Sequence, residues 1–408
     1  MTIHRKWAAG VAALALAVGS MFFLRARPAA RSGDYWMYVA TYTTRGGNGI
    51  YLYKFHADSG KLEASGLAEG RLWQSNSNAL AGSPGRVFSQ IRAGWPDFRK
   101  ILRGVQDPAF IRADGSGRYL YTANAMEAGA ISAFQIDPTT GKLAILNTES
   151  SGGALPVYSS VDKTGRHLLV ANYKGTVAVL PIGSTGYLGH ATAVIRHAGA
   201  GAHAHSIVLS PDNRFALAAD TGLDQIFVYK FDAAGGGLAT GDPPFLKLPR
   251  GTAPRHLAFH PNGNLVYAIG ESGSSVTAMK WDALNGVLAP IQTISTLPAG
   301  FHGENGGAEL AIHPNGRFLY ASNRGHDSIA VFRVDDAAGT LTLVSFEPSY
   351  GKRPSNMRID PTGNWLMVTN VFSNNLVEFR LDPGNGGLNP VETIGVPSPM
   401  GLEFVVAR

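Results

Sequence analysis

The sequence predicts an all-β fold, a seven-bladed propeller, on three observations. A hairpin unit recurs with a period in the high forties. No long helical pattern interrupts the copies. The two ends of the repeating region are complementary halves of one further copy. A period of that size with about four short strands per unit is the pattern of a propeller blade.

The unit is clearest at 254–271, PRHLAFHPNGNLVYAIGE. An apolar strand leads into a Pro-Asn-Gly turn, and a second strand rich in β-branched and aromatic residues follows. Aligned on the turn, the copies centre on Gly117, Gly165, Asn213, Gly263, Gly316 and Gly363, with spacings of 48, 48, 50, 53 and 47 residues. After each hairpin comes a third strand and often a closing D-x-x-x-G-x-L, as in ISAFQIDPTTGKL and LVEFRLDPGNGGL. The seventh copy is split. Residues 35–63 supply its later strands, and the C-terminal PSPMGLEFVVAR supplies its first. Joining the two closes the ring and removes exposed sheet edges. The propeller is thus expected to span 35–408 as one unit, because blades cannot bury both faces alone.

Two segments stand apart from the repeats. Residues 1–31 carry Arg5, Lys6, Arg25, Arg27 and Arg31 and no acid, with an apolar run from Trp7 to Leu24. That is the pattern of an export signal or an N-terminal membrane anchor. Its A-x-A triplets lie inside the run, which favours an uncleaved anchor through residues 7–24. The expected location is periplasmic or otherwise extracytoplasmic. Residues 71–104 form an insert with six basic residues against one acid, Asp97, and read as a surface excursion or a cationic lid.

The formal charge of +6 is concentrated in the leader; without it 30 basic residues face 29 acidic ones. A nearly neutral folded part argues against a nucleic-acid partner. The chain has no cysteine, which excludes disulfides and thiolate chemistry.

A hairpin brings the start of its first strand and the end of its second to one edge. Slot one, eight residues before each turn centre, reads Ala109, Val157, His205, Arg255, Ala308, Ser355. Slot two, eight residues after, reads Ala125, Tyr173, Thr221, Glu271, Arg324, Val371. His205, Arg255, Glu271 and Arg324 fall in three consecutive blades and are expected on one face of the disc. Slot one should face the central channel. A His and a Glu are suitable proton-transfer partners, and two guanidiniums suit an anion or a developing oxyanion. A structural ion-pair network is the bland alternative. His197, His203 and His205 raise a metal site, but no third ligand stands at characteristic spacing. Asn124, Asn172, Asn323 and Asn370 recur before slot two and read as strand-end turn residues. His302 and Glu304, in FHGENGG, rank second for the mouth.

At these residues the sequence resembles the lactonase-type seven-bladed propeller family, which includes a bacterial 6-phosphogluconolactonase and a fungal carboxy-cis,cis-muconate cyclase. The matching stretches include ATYTTRGGNGIYLYKF, HAHSIVLSPDNRFALAADTGLDQIFVYKFD, APRHLAFHPNG and AELAIHPNGRFLYASNRGHDSIAVF. The resemblance covers about residues 35–408 apart from the insert. It implies that His205, Arg255, Glu271 and Arg324 match the His, two Arg and Glu of the muconate cyclase site. Two departures stand out: Ser355 and Ala125 replace an Arg and a Glu frequent in the family.

The expected function is hydrolysis or formation of the lactone ring of a small anionic sugar-acid or muconate-type compound, with no metal and no cofactor. Arg255 and Arg324 would hold the anion; His205 and Glu271 would exchange protons. One rival is a non-catalytic propeller displaying its rim to a protein or polysaccharide. Another is a metal-dependent sugar lactonase.

Overall fold

The computed structural model describes residues 33–68 and 105–408. The predicted leader and the 71–104 insert lie outside the described residues. Those described form seven four-stranded antiparallel sheets, with a single 3-10 turn at Thr43–Arg45 and no α-helix. Six sheets follow chain order: blade 2 (108–150), blade 3 (156–196), blade 4 (204–247), blade 5 (254–295), blade 6 (306–348) and blade 7 (354–395). Blade 1 is the split one. Its innermost strand, Pro399–Val406, pairs with Asp34–Thr41, and the next two strands continue to residue 67. Tyr35 faces Val406 and Val39 faces Leu402 in that pairing.

The first strand of each blade lies against the first strands of both neighbours, all the way round. The second strands, such as Leu265–Gly270 and Trp365–Asn370, are buried along their whole length. Blades cover both of their faces, which is why these stretches read as continuous apolar runs rather than alternating ones. The fourth strands are largely exposed, as in Leu341–Pro348.

The core is a series of blade-to-blade seams. Leu217 and Val228 of blade 4 pack with Val266 and Met279 of blade 5. Leu265 and Ile269 of blade 5 pack with Leu319 and Phe332 of blade 6. The split blade closes the ring on both sides: Tyr38 and Leu52 meet Ile111 and Phe134 of blade 2, while Met37 and Phe55 meet Trp365 and Met367 of blade 7. Each such buried side chain contributes about 1.5–3 kcal/mol.

The closing D-x-x-x-G has a structural reason. The Asp side chain accepts from the backbone of the turn, as Asp137 does from Thr139 and Thr140 at 2.9 Å. The Gly sits in the left-handed region, and in most blades it receives a ring from the preceding blade. At Gly386, φ is 81° and a Cβ would lie 2.4 Å from Phe318 Cδ1. Gly141 does the same against Trp36 and also accepts a hydrogen bond from buried Tyr38 Oη at 2.8 Å. The recurring Asn residues tie the end of a second strand to the chain leaving the preceding blade. Asn172 Nδ2 donates to Ser151 O, and Asn370 Nδ2 to Ser349 O, each at 2.9 Å.

Gly386→Ala is therefore expected to destabilise the ring by about 1–3 kcal/mol, through overpacking and a strained φ. Thermal unfolding followed by circular dichroism checks this. An unchanged midpoint would contradict the proposed packing role.

Candidate active site

Every inner strand begins with a β-bulge at slot one. In blade 5 Pro254 pairs with Gly270 and His256 with Ile269, leaving Arg255 as the extra residue. The same shift occurs beside Ala109, Val157, His205 and Ser355, and at 307–310 in blade 6. A bulge re-aims the side chain it carries. The slot-two residue is then pinned beside it through the backbone. Glu271 N donates to Ala253 O at 2.8 Å, and Tyr173 N donates to Leu155 O at 2.8 Å. Ala253 and Leu155 adopt φ of 50° and 55° to present those carbonyls, strain that the surrounding ring sustains.

Three of the four predicted residues touch. Glu271 stands between the two arginines, with Oε2 3.2 Å from Arg255 Nε and Oε1 2.9 Å from Arg324 Nη2. The pairing crosses a blade seam, since Arg324 belongs to blade 6. Gly306 lies under the pair; its Cβ position is 3.4 Å from Arg324 Nη2 and 3.7 Å from Glu271 Cγ. His205 joins the group through a cavity of about 50 Å³ that it lines together with Arg255. That volume holds one or two waters. Ala109, Val157, Ser355 and Met400, slot-one residues of four further blades, also line it. His205 and Arg255 are 7% and 5% exposed, whereas Glu271 and Arg324 are only partly buried. The His205 ring meets Tyr173 edge-on at 5.8 Å and lies 5.2 Å from the His256 ring.

The charges set one another. Burial pushes the Glu271 carboxyl up, but the guanidiniums of Arg255 and Arg324 outweigh it and hold the group below the usual carboxylate range. Burial pushes Arg255 down, and Arg324 adds to this while Glu271 opposes it. Burial, then the charges of Arg255 and Arg324, hold His205 well below 6.5. His205 is therefore a neutral imidazole at neutral pH, and its Nδ1 is buried without a hydrogen-bond partner.

The other candidates fall elsewhere. His203 stacks on Tyr173 at 4.4 Å. His197 is buried against Asp220, with Nδ1 2.6 Å from Oδ2, and stacks on Phe227. Among the described residues no group of three His, Cys, Asp or Glu is placed to hold a metal ion. His302 and Glu304 are exposed, in a loop whose Asn305 Oδ1 accepts from His326 N close to the end of the Arg324 strand.

Five lining residues escaped sequence reasoning: Tyr42, Met400, Phe110, His256 and Asn356. Tyr42 and Met400 are the two slots of the split blade, since Thr41 pairs with Pro399 and Tyr42 N donates to Ser398 O at 3.1 Å. Extending the slot count across the split would have found them. Phe110, His256 and Asn356 each follow a slot-one residue, and strict strand alternation would turn them away from the channel.

Comparison with known proteins agrees with this architecture. The model of the family described as lactonase, 7-bladed beta-propeller, matches residues 98–404. A 6-phosphogluconolactonase of Bacillus subtilis is 31% identical over 377 residues, covering 90% of this chain and 97% of that protein. A 6-phosphogluconolactonase of Formosa agariphila is 31% identical over 371 residues, covering 86% of this chain and 94% of that one. Among solved structures, the periplasmic gluconolactonase of Pseudomonas aeruginosa superposes with a TM-score of 0.79 at 30% identity, over 92% of this chain and 100% of that one. Ring, split blade and sequence kinship together lead to one conclusion: the chain belongs to the lactonase family of seven-bladed β-propellers.

Proposed function

We propose that the chain hydrolyses the lactone ring of a small anionic compound, of the sugar-acid or muconate type, without a metal and outside the cytoplasm. The observation that carries this reading is the Arg255–Glu271–Arg324 bridge at the mouth of a cavity lined by a neutral, buried histidine. The names of the relatives, 6-phosphogluconolactonase and periplasmic gluconolactonase, support the substrate class and the compartment. The basic and apolar leader of residues 1–31 supports the compartment independently. Among the described residues no helix is long and apolar enough to cross a membrane.

In this reading Arg255 and Arg324 bind the anionic group and face the lactone carbonyl. His205 takes a proton from water as the water oxygen bonds to the carbonyl carbon. The guanidiniums stabilise the tetrahedral oxyanion that forms. The ring C–O bond then breaks, and the departing oxygen recovers the proton from His205. Glu271, kept ionised by both arginines, anchors the guanidiniums instead of carrying the proton.

The direct test is hydrolysis by the purified full-length chain of gluconolactone, 6-phosphogluconolactone and a muconolactone, with and without a chelator. Turnover of one class that persists with chelator is expected. Turnover abolished by chelator and restored by a metal would replace the metal-free mechanism.

His205→Ala should lower kcat/KM by about 10²–10⁴-fold on the substrate so identified, with the fold intact. A variant retaining wild-type turnover would remove His205 from the chemistry.

Because His205 is held neutral, the acid limb of kcat/KM should lie below pH 6.5, with a plateau from there through neutrality. Activity is present above the lowered His205 pKa and is lost as pH falls through it. A limb centred above pH 6.5 would contradict the assignment of His205 as the base.

A further inference from the structure

Behind Arg255 a line of polar side chains runs across the channel through three blades. Arg255 Nη1 lies 3.3 Å from His256 Nε2 and also donates to Ala308 O. His256 Nδ1 lies 2.8 Å from Glu309 Oε1. Glu309 Oε2 accepts from Asn356 Nδ2 at 2.5 Å, and Oε1 accepts from Leu310 N at 3.1 Å. All four side chains are buried. His256 and Asn356 open on the cavity that His205 lines.

The donor inventory fixes the protons. A guanidinium only donates, so His256 Nε2 must present its lone pair to Arg255. The ring proton then sits on Nδ1 and is donated to Glu309. A neutral imidazole is what burial and the neighbouring Arg255 and Arg324 charges favour at His256, which they hold well below 6.5. Burial pushes Glu309 up to about 7, with Arg255, Arg112 and Arg358 opposing. Tyr158 faces the same channel and meets the His256 ring edge-on at 5.0 Å. The donors aimed at its two oxygens hold Glu309 as an acceptor.

We propose that Glu309 and His256 are positioning residues: Glu309 locks His256 in its Nδ1–H tautomer, and the free Nε2 then aims the Arg255 guanidinium at the cavity. The assignment rests on the reading of Arg255 as an oxyanion partner, and it extends the working site to residues that no slot contains. Arg255 has two buried acceptors on its inner side and Glu271 on its outer side. Removing the His256 acceptor lets the guanidinium turn, and misplacement of a transition-state partner by about 1 Å costs about 10²-fold in rate.

The test uses the full-length chain, with His256→Phe, His256→Gln and Glu309→Leu variants. Gln keeps an acceptor near the place of Nε2 and Phe does not. His256→Phe should lower kcat by about 10²-fold with little change in KM, and His256→Gln should recover much of the loss. Thermal midpoints measured in parallel separate this from misfolding, which would not be rescued in kcat alone. A second, activity-independent arm is 15N NMR of histidine-labelled protein, with the His256 signal assigned by its loss in His256→Gln. The Nδ1–H tautomer is expected between pH 6.5 and pH 8 in the wild type, and its loss in Glu309→Leu, which has no acceptor for Nδ1–H. An Nε2–H tautomer in the wild type, or equal kcat in the Phe and Gln variants, would overturn the proposal. If the wild type opens no lactone, the functional reading falls by itself, and the NMR arm alone decides whether Glu309 sets the tautomer that faces Arg255.

Discussion

Everything in this molecule depends on the antiparallel pairing of Asp34–Thr41 with Pro399–Val406. A blade hides its two faces only by leaning on two neighbours. Without this pairing the faces of blades 2 and 7 that carry Ile111, Leu120, Trp365 and Met367 would have no cover. Two open sheet edges would also remain, available for pairing with another chain. Closure has a local effect as well. It delivers Tyr42 and Met400 to the channel mouth from opposite ends of the sequence.

The second constraint is the bulge that opens every inner strand. In regular pleating, neighbours in sequence point to opposite faces. The bulge suspends that rule for one step, so that Arg255 and His256 both reach the central cavity. The channel thereby carries two successive levels of side chains where plain strands would offer one. The upper level holds the slot residues of the mouth, and the lower one holds the hydrogen-bonded line behind it.

The fold was legible because its signal is repeated. Six turns, the D-x-x-x-G ending and the two half-blades each demand the same geometry, and the local choices agree with the global one. The contact between Arg255 and Glu271 could be read from their equal distance to Gly263, because a hairpin preserves that symmetry. Arg324 was found by the same count one blade later. Tyr42 and Met400 were missed because the count is anchored on a turn; the split blade has none, and its slots come out only by matching each half to the other blades. His256 and Glu309 were missed for a different reason. A bulge changes which way a residue points without leaving a mark in composition, and both residues look like ordinary strand neighbours of a slot. The protonation roles were also beyond the sequence, since they follow from how two guanidiniums share one carboxylate.

That sharing bears on how such a mouth lets go of what it makes. Opening a lactone creates a new carboxylate, so the product carries one more negative charge than the compound that entered. Two bare guanidiniums would hold that product more tightly than the reactant and would stall. Glu271 already occupies one oxygen-binding edge of each arginine. In the proposed reaction an arriving anion would meet a pair already half quenched, and a departing one would leave behind a site that can reseal on its own carboxylate. In that reaction the residue that organises the cations would thus also weaken product inhibition.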